Sequence, residues 1–203
     1  MKIKICGITN PENAEKICQL NINAIGLVFY NKSPRAISIS QAKEIIDSIP
    51  PFISKVGLFV NSDPSLVDRV LNNVNIDTLQ FHGSESPSDC SQFQMPFIKA
   101  IRMNKETNLL MQAEEYSDAT GLLLDSFEED SFGGTGKTFD WSLIKDKINL
   151  PIILAGGLNK DNVIKAIKMT QPYAIDISSG VESKKGIKDI EKTKEIIEIV
   201  KSI

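Results

Sequence analysis

Histidine is nearly missing from this sequence: His82 is the only one among 203 residues. Metal centres built on several imidazoles, such as the paired-histidine sites of zinc and iron enzymes, are therefore out of reach. A Ser-His-Asp site would have to use His82 alone, and no nucleophile-elbow motif accompanies it. Cysteine is also scarce. Three cysteines in a chain of this length make no disulfide framework, which fits a reducing, cytoplasmic setting. The formal charge of −3 carries no basic excess, so composition gives no support to a nucleic-acid partner. No apolar run approaches the ~18 residues of a membrane span. Lys2 and Lys4 interrupt what would be the apolar core of a signal peptide.

What is present is the composition of a soluble globular protein, 41% hydrophobic and 24% charged. The length suits one domain over residues 1–203 with a full core. Short apolar runs alternate with amphipathic stretches from end to end. The pattern predicts strands near 2–6, 24–29, 53–60, 77–81, 97–102, 121–125, 151–155 and 173–177. It predicts helices near 11–20, 40–48, 64–73, 87–93, 105–115, 140–147, 159–169 and 187–201. Asn10-Pro11, Asp63-Pro64 and Ser86-Pro87 each offer a side-chain cap followed by proline at the first helical position.

Eight strand–helix units in strict alternation predict an α/β fold with a helix-covered parallel sheet. Eight is also the number that closes a (β/α)8 TIM barrel, typically of ~250 residues but reaching down to ~200. This chain sits at the lower edge, so its loops are short and no lid domain fits. A doubly wound open sheet would want a glycine-rich turn after the first strand. Cys6-Gly7-Ile8-Thr9 has one glycine only.

In a barrel the chemistry sits where the strands end. Polar residues and glycines cluster there: Cys6-Gly7, Tyr30 to Arg35, Asn61-Ser62, His82-Gly83, Arg102, Asp125-Ser126, Gly156-Gly157 and Ser178-Ser179-Gly180. The stretch Phe132 to Thr138 resembles a nucleotide-binding P-loop but fails its spacing, because Ser131 stands where glycine is required. It reads better as one of three neighbouring glycine loops. Gly133, Gly134 and Gly136 follow the sixth strand, Gly156 and Gly157 the seventh, and Ser179 and Gly180 the eighth. Backbone N–H groups freed by glycine approach an anion closely, and three such loops together point to a substrate phosphate. Any one of them alone would be a tight turn.

A cysteine is more often a small buried hydrophobe than a reactive group, and Cys18 and Cys90 fit that description on helix faces. Cys6 differs because it ends a strand on the active face. Lys4 points the same way one layer deeper and would lower the thiol pKa, or else be tethered to carboxylates low in the barrel. Asp125 closes an apolar strand over the same mouth. It is either a turn former or a carboxyl desolvated enough to stay protonated and act as an acid. Asp176 faces inward from the eighth strand as a second polar candidate. Arg35 could clamp a carboxylate with its planar fork or be plain surface charge. His82 could touch substrate or make a structural hydrogen bond.

Taken in order, the motifs resemble the phosphoribosylanthranilate isomerase family of tryptophan biosynthesis. They are Lys4 to Thr9, Phe29 to Arg35, Val56 to Asn61, Gln80 to Gly83, Leu123 to Ser126, Gly133 to Gly136 with Phe139-Asp140-Trp141, Leu154 to Leu158, and Asp176 to Glu182. The resemblance runs the length of the chain. It implies a (β/α)8 barrel that performs an Amadori rearrangement with no cofactor and no metal, on a phosphosugar substrate. It further implies Asp125 as general acid, Cys6 as general base and Arg35 on the anthranilate carboxylate. His82 and Asp176 would stand beside the substrate, and the loops after strands six to eight would hold its phosphate. Monomer and homodimer are both open. Asn31 stands where proline is common, and Lys184-Lys185 replace a small residue and proline. Both departures affect loop shape only. Rival phosphosugar barrels fit less well. A Schiff-base aldolase wants lysine where Asp125 stands, a metal-dependent epimerase wants two histidines, and the histidine-pathway isomerase wants aspartate where Cys6 stands. A silent phosphosugar-binding protein would have no need of both Cys6 and Asp125.

Overall fold

The apolar runs become the staves of a closed barrel. A computed structural model of the chain describes residues 1–126, 138–144 and 147–203. Its strands are β1 (Lys2–Cys6), β2 (Ala24–Val28), β3 (Ser54–Phe59), β4 (Thr78–Phe81), β5 (Phe97–Met103), β6 (Gly121–Ser126), β7 (Ile152–Leu154) and β8 (Ala174–Ile177). They pair in parallel in sequence order, and β8 returns to β1. The closing register sets Lys2 beside Ala174 and Lys4 beside Asp176. Around the barrel lie α1 (Pro11–Cys18), α2 (Ile39–Ser48), α3 (Pro64–Leu71), α4 (Pro87–Ser91), α5 (Leu109–Glu115), α6 (Val163–Thr170) and α7 (Ile190–Lys201).

Strand alternation divides the core in two. Ile3 and Ile5 of β1, Leu79 and Phe81 of β4, Leu122 and Leu124 of β6, and Ile175 and Ile177 of β8 pack outward against the helices. Ile98, Ala100, Leu123, Ile153, Ala155 and Ala174 face one another as a separate apolar cluster inside the barrel. Nearer the strand ends the inward positions turn polar on β1, β4, β6 and β8, where Cys6, Gln80, His82, Asp125 and Asp176 line one cavity together with apolar Val28 and Leu58. An apolar floor thus carries a largely polar ceiling, and that ceiling is the site.

The sequence-level caps form. Asn10 accepts from the Asn13 N–H and Asp63 from that of Ser65, while Ser86 and Asp89 make a reciprocal capping box. Four expectations are corrected. The helix expected over 159–169 starts only at Val163. The helix expected over 105–115 starts only at Leu109, with Asn108 as its cap. Among the described residues of the helix expected over 140–147 there is a single 3₁₀ turn at Trp141–Leu143, after which Ile144 leaves helical geometry at φ −83 and ψ 80; residues 145 and 146 lie outside the described residues. The final helix, expected from 187, starts at Ile190. An antiparallel hairpin of β9 (Glu182–Lys184) and β10 (Ile187–Lys188) takes up the residues before it. Among the described residues, no helix is long and apolar enough to cross a membrane.

Candidate active site

Cys6 ends β1 opposite Gly26 of β2. A Cβ at Gly26 would lie 2.5 Å from the Cys6 sulfur, so only glycine leaves room for the thiol there. Two buried lysines stand beside it. Lys4 Nζ donates to Asp176 Oδ2 at 2.9 Å. Lys188 Nζ donates to Glu182 Oε1 at 2.8 Å and to the Ser178 carbonyl at 3.2 Å. The Ser178 hydroxyl donates to the Cys6 carbonyl at 3.0 Å. Burial pushes the thiol above its ordinary 9.0, and the charges of Lys4 and Lys188 pull it down by less. Lys4 is thus tethered to a carboxylate, and its charge opposes the burial that raises the thiol.

Asp125 is the penultimate residue of β6, at an inward position, and is 5% exposed. His82 Nε2 lies 3.1 Å from its Oδ2, and the Ser126 N–H donates to its Oδ1 at 2.7 Å. Burial pushes the carboxyl up, but His82 and Ser126 together bring it below its ordinary 3.8. The expectation that burial keeps Asp125 protonated is thus corrected. Burial is present, and hydrogen bonds to the charged form outweigh it.

Arg35 is buried rather than plain surface charge. Its Nε and Nη2 grip the two oxygens of Glu182 at 2.7 and 2.8 Å. The fork expected for a ligand carboxylate therefore holds one of the chain's own. Asp176 keeps Oδ1 buried with no hydrogen-bond partner among the described residues. Gln80, wholly buried on β4, places its Nε2 2.9 Å from His82 Nδ1.

One cavity gathers Cys6, Arg35, His82, Asp125, Gly156, Gly157, Asp176 and Ser179, together with Tyr30, Gln80 and Ser178. Gly156, at φ +79, passes so close to β6 that a Cβ would meet the Ser126 nitrogen at 2.8 Å. Gly180 is absent from the lining; a Cβ there would overlap the Leu158 carbonyl oxygen, so this glycine lets the loops after β7 and β8 touch. Gly133, Gly134 and Gly136 lie outside the described residues. Cys18 and Cys90 are buried away from the cavity, their thiols raised by burial to about 11 and about 12.

Sequence reasoning assigned no role to Gln80, Glu182 and Lys188. Gln80 carries a signal, since it stands two residues before His82 and must share its face of β4. Glu182 and Lys188 carry none, because their pairing depends on a hairpin that reads as the start of a helix.

A thiol and a carboxylate thus share a cavity rimmed by glycine-bearing turns, an arrangement suited to moving protons on an anionic substrate. A relative from Stutzerimonas stutzeri, an N-(5'-phosphoribosyl)anthranilate isomerase, is 48% identical over 203 residues, covering 100% of this chain and 98% of its own. The isomerase structure from Thermotoga maritima superposes with a TM-score of 0.90 at 38% identity, with both chains covered completely. A further structure, of an isomerase in complex with reduced 1-(o-carboxyphenylamino)-1-deoxyribulose 5-phosphate, gives 0.87 at 36% identity, again over 100% of both chains. The family model for N-(5'phosphoribosyl)anthranilate (PRA) isomerase matches residues 3–199, and the chain belongs to that family of isomerases.

Proposed function

We propose that the chain converts N-(5-phospho-β-D-ribosyl)anthranilate into 1-(2-carboxyphenylamino)-1-deoxy-D-ribulose 5-phosphate, with Asp125 as general acid and Cys6 as general base. The observation that carries this reading is the sharing of one cavity by these two groups. Asp125 gives a proton to the furanose ring oxygen, the C1′–O bond breaks, and the anilino nitrogen supplies the electron pair that forms an iminium. Cys6 as thiolate removes the C2′ proton, and those electrons neutralise the iminium to give an enolamine. The enolamine tautomerises to the ketone. One proton enters and one leaves, so the product is an isomer.

The remaining groups serve the anions. The Nη1 edge of Arg35 faces the anthranilate carboxylate, held in place by Glu182. The phosphate lies against Gly156, Gly157 and Ser179, where a short 3₁₀ turn (Ser179–Val181) follows β8. Loops after strands seven and eight with a short extra helix are a recurrent phosphate site in such barrels. Asp176 Oδ1, buried without a hydrogen-bond partner among the described residues, is an acceptor for a sugar hydroxyl.

The resting protonation is the reverse of the working one. Asp125 is driven towards the anion and Cys6 towards the thiol. The working pair, acid protonated and thiol ionised, holds the same total of protons, so its share is constant between the two pKa values. Below the lowered carboxyl value the base is lost, and above the raised thiol value the acid is lost. kcat/KM should therefore be flat across neutral pH, with limbs outside the ordinary carboxylate and thiol ranges. A sharp optimum near neutrality would contradict this.

Loss of anthranilate-type fluorescence on adding the ribosyl substrate tests the reaction itself. Wild type should turn over. Cys6→Ser and Asp125→Asn should each lose on the order of 10²–10⁴ in kcat while still binding inorganic phosphate. An inactive wild type, or an active Asp125→Asn, would overturn the assignment.

A further inference from the structure

The strand β4 places two polar side chains on the same inward face, Gln80 and His82, and both line the cavity with Asp125. They form a row. Gln80 Nε2 stands 2.9 Å from His82 Nδ1, and His82 Nε2 stands 3.1 Å from Asp125 Oδ2. An amide N–H can donate to Nδ1 only if that nitrogen carries a lone pair. The ring is then neutral, with its single proton on Nε2 directed at the Asp125 carboxylate. In this orientation Gln80 leaves its own Oε1 buried without a hydrogen-bond partner among the described residues. Orphaned buried acceptors are rare and call for a reason.

The neutral ring cannot be the source of the acid's proton, because surrendering its only N–H would leave an imidazolate. A second proton has to enter from water. It lands on Nδ1, the ring becomes an imidazolium, and Nδ1–H then needs an acceptor. Gln80 is the side chain in reach, and turning its amide end for end presents Oε1. We propose that Gln80 is the positioning residue of this pair: its amide dictates which nitrogen of His82 is protonated, and by reversing it lets His82 load Asp125 with the proton delivered to the ring oxygen.

The protons balance. The imidazolium passes its Nε2 proton to Asp125 Oδ2 and remains neutral, with Nδ1–H on Gln80 Oε1. Asp125 hands that proton to the substrate. The ring then returns its remaining proton from Nδ1 to Nε2 through water as the amide turns back, and the cycle has consumed one solvent proton. Cys6 releases the C2′ proton to solvent in exchange. Among the described residues, the other charged or titratable groups lining the cavity are Cys6, Tyr30, Arg35 and Asp176; Lys4, Glu182 and Lys188 pair with or stand beside these, and Arg102 of β5 acts on Asp125 through its charge. This inference rests on Asp125 being the general acid.

Because His82 is the only histidine, imidazole nitrogen NMR reads it without interference. Wild type at neutral pH should show an unprotonated Nδ1 and a protonated Nε2. Gln80→Glu, which can only accept, should hold Nδ1–H and raise the ring's titration midpoint. Gln80→Met, which can do neither, should release the tautomer and lower kcat by roughly tenfold with KM little changed, a small part of what general acid catalysis supplies. Wild type with its proton on Nδ1 overturns the proposal even if neither variant folds. So does a tautomer and midpoint unchanged in both variants. Asp125→Asn separates the two readings: if it retains turnover, the acid assignment fails, while the nitrogen spectra still report what Gln80 does to His82.

Discussion

At the scale of single residues, the site is decided by burial competing with nearby charge. Asp125 and Cys6 are both nearly closed to water, yet they shift in opposite directions because their hydrogen-bond partners differ. Lys4→Met should push the Cys6 thiol higher still. Iodoacetamide alkylation of Cys6 followed against pH would register this as a curve displaced to alkaline values, and an undisplaced curve would remove Lys4 from the chemistry. Gly26 is the other single-residue control. A methyl group at Gly26 collides with the Cys6 sulfur, so Gly26→Ala should fold with a loss of about 1–3 kcal/mol and show strongly reduced kcat. Full activity with unchanged stability in that variant would mean the thiol has space to move aside. Cys6 and Asp125 were legible in the sequence as strand-end residues, since strand periodicity alone sets the face they point to. Their protonation was not, because it depends on neighbours from β4, β8 and the following hairpin.

Among the elements, the hairpin of β9 and β10 does the most for its size. It brings Glu182 between Arg35 and Lys188, and the Glu182 side chain is only 6% exposed. Burial raises the Glu182 carboxyl, but Arg35 and Lys188 bring it below its ordinary 4.5. As the pH falls, the unfolded chain therefore takes up this proton first. The stabilisation is complete above the ordinary carboxyl value and is lost as the pH drops through the lowered one. Glu182→Gln should cost about 3–5 kcal/mol at neutral pH, because it leaves two buried cations without their counter-ion. The gap between variant and wild type in urea midpoint should narrow in acid, and a constant gap would show that the ion pairs are not responsible. The eight barrel strands were readable because each is a short apolar run between turn signals. The hairpin was not: its two strands are too short for any period to register, and Lys184-Lys185-Gly186 offered no apolar alternation. The same limit hid the shortness of the turn at Trp141, where a one-turn helix and a 3₁₀ turn share the same pattern.

On the scale of the whole molecule, closure of β8 on β1 makes every barrel strand an interior strand of one sheet. Local opening then has few places to start, and unfolding should be all or none. Cys18 on α1 and Cys90 on α4 are buried in different parts of the shell and serve as built-in reporters. In a urea titration both should become reactive to a thiol reagent at one midpoint, shared with loss of helical signal and loss of turnover. Earlier exposure of Cys90 would mean that the α4 region opens by itself. The same closure has a consequence for dividing the chain. Cys6, Arg35, Gln80 and His82 belong to the first four strand–helix units, and Asp125, Asp176, Glu182 and Lys188 to the last four. A chain cut in the exposed turn at Gln94 would leave Cys6 on one fragment and Asp125 on the other. The pairs Lys4–Asp176, Arg35–Glu182 and His82–Asp125 all span that divide. Neither fragment could turn over substrate alone, and the opposed charges would favour the correct mate over a second copy of the same half. Isomerase activity would then serve as a complementation signal, reporting that two half-barrels have found each other in register.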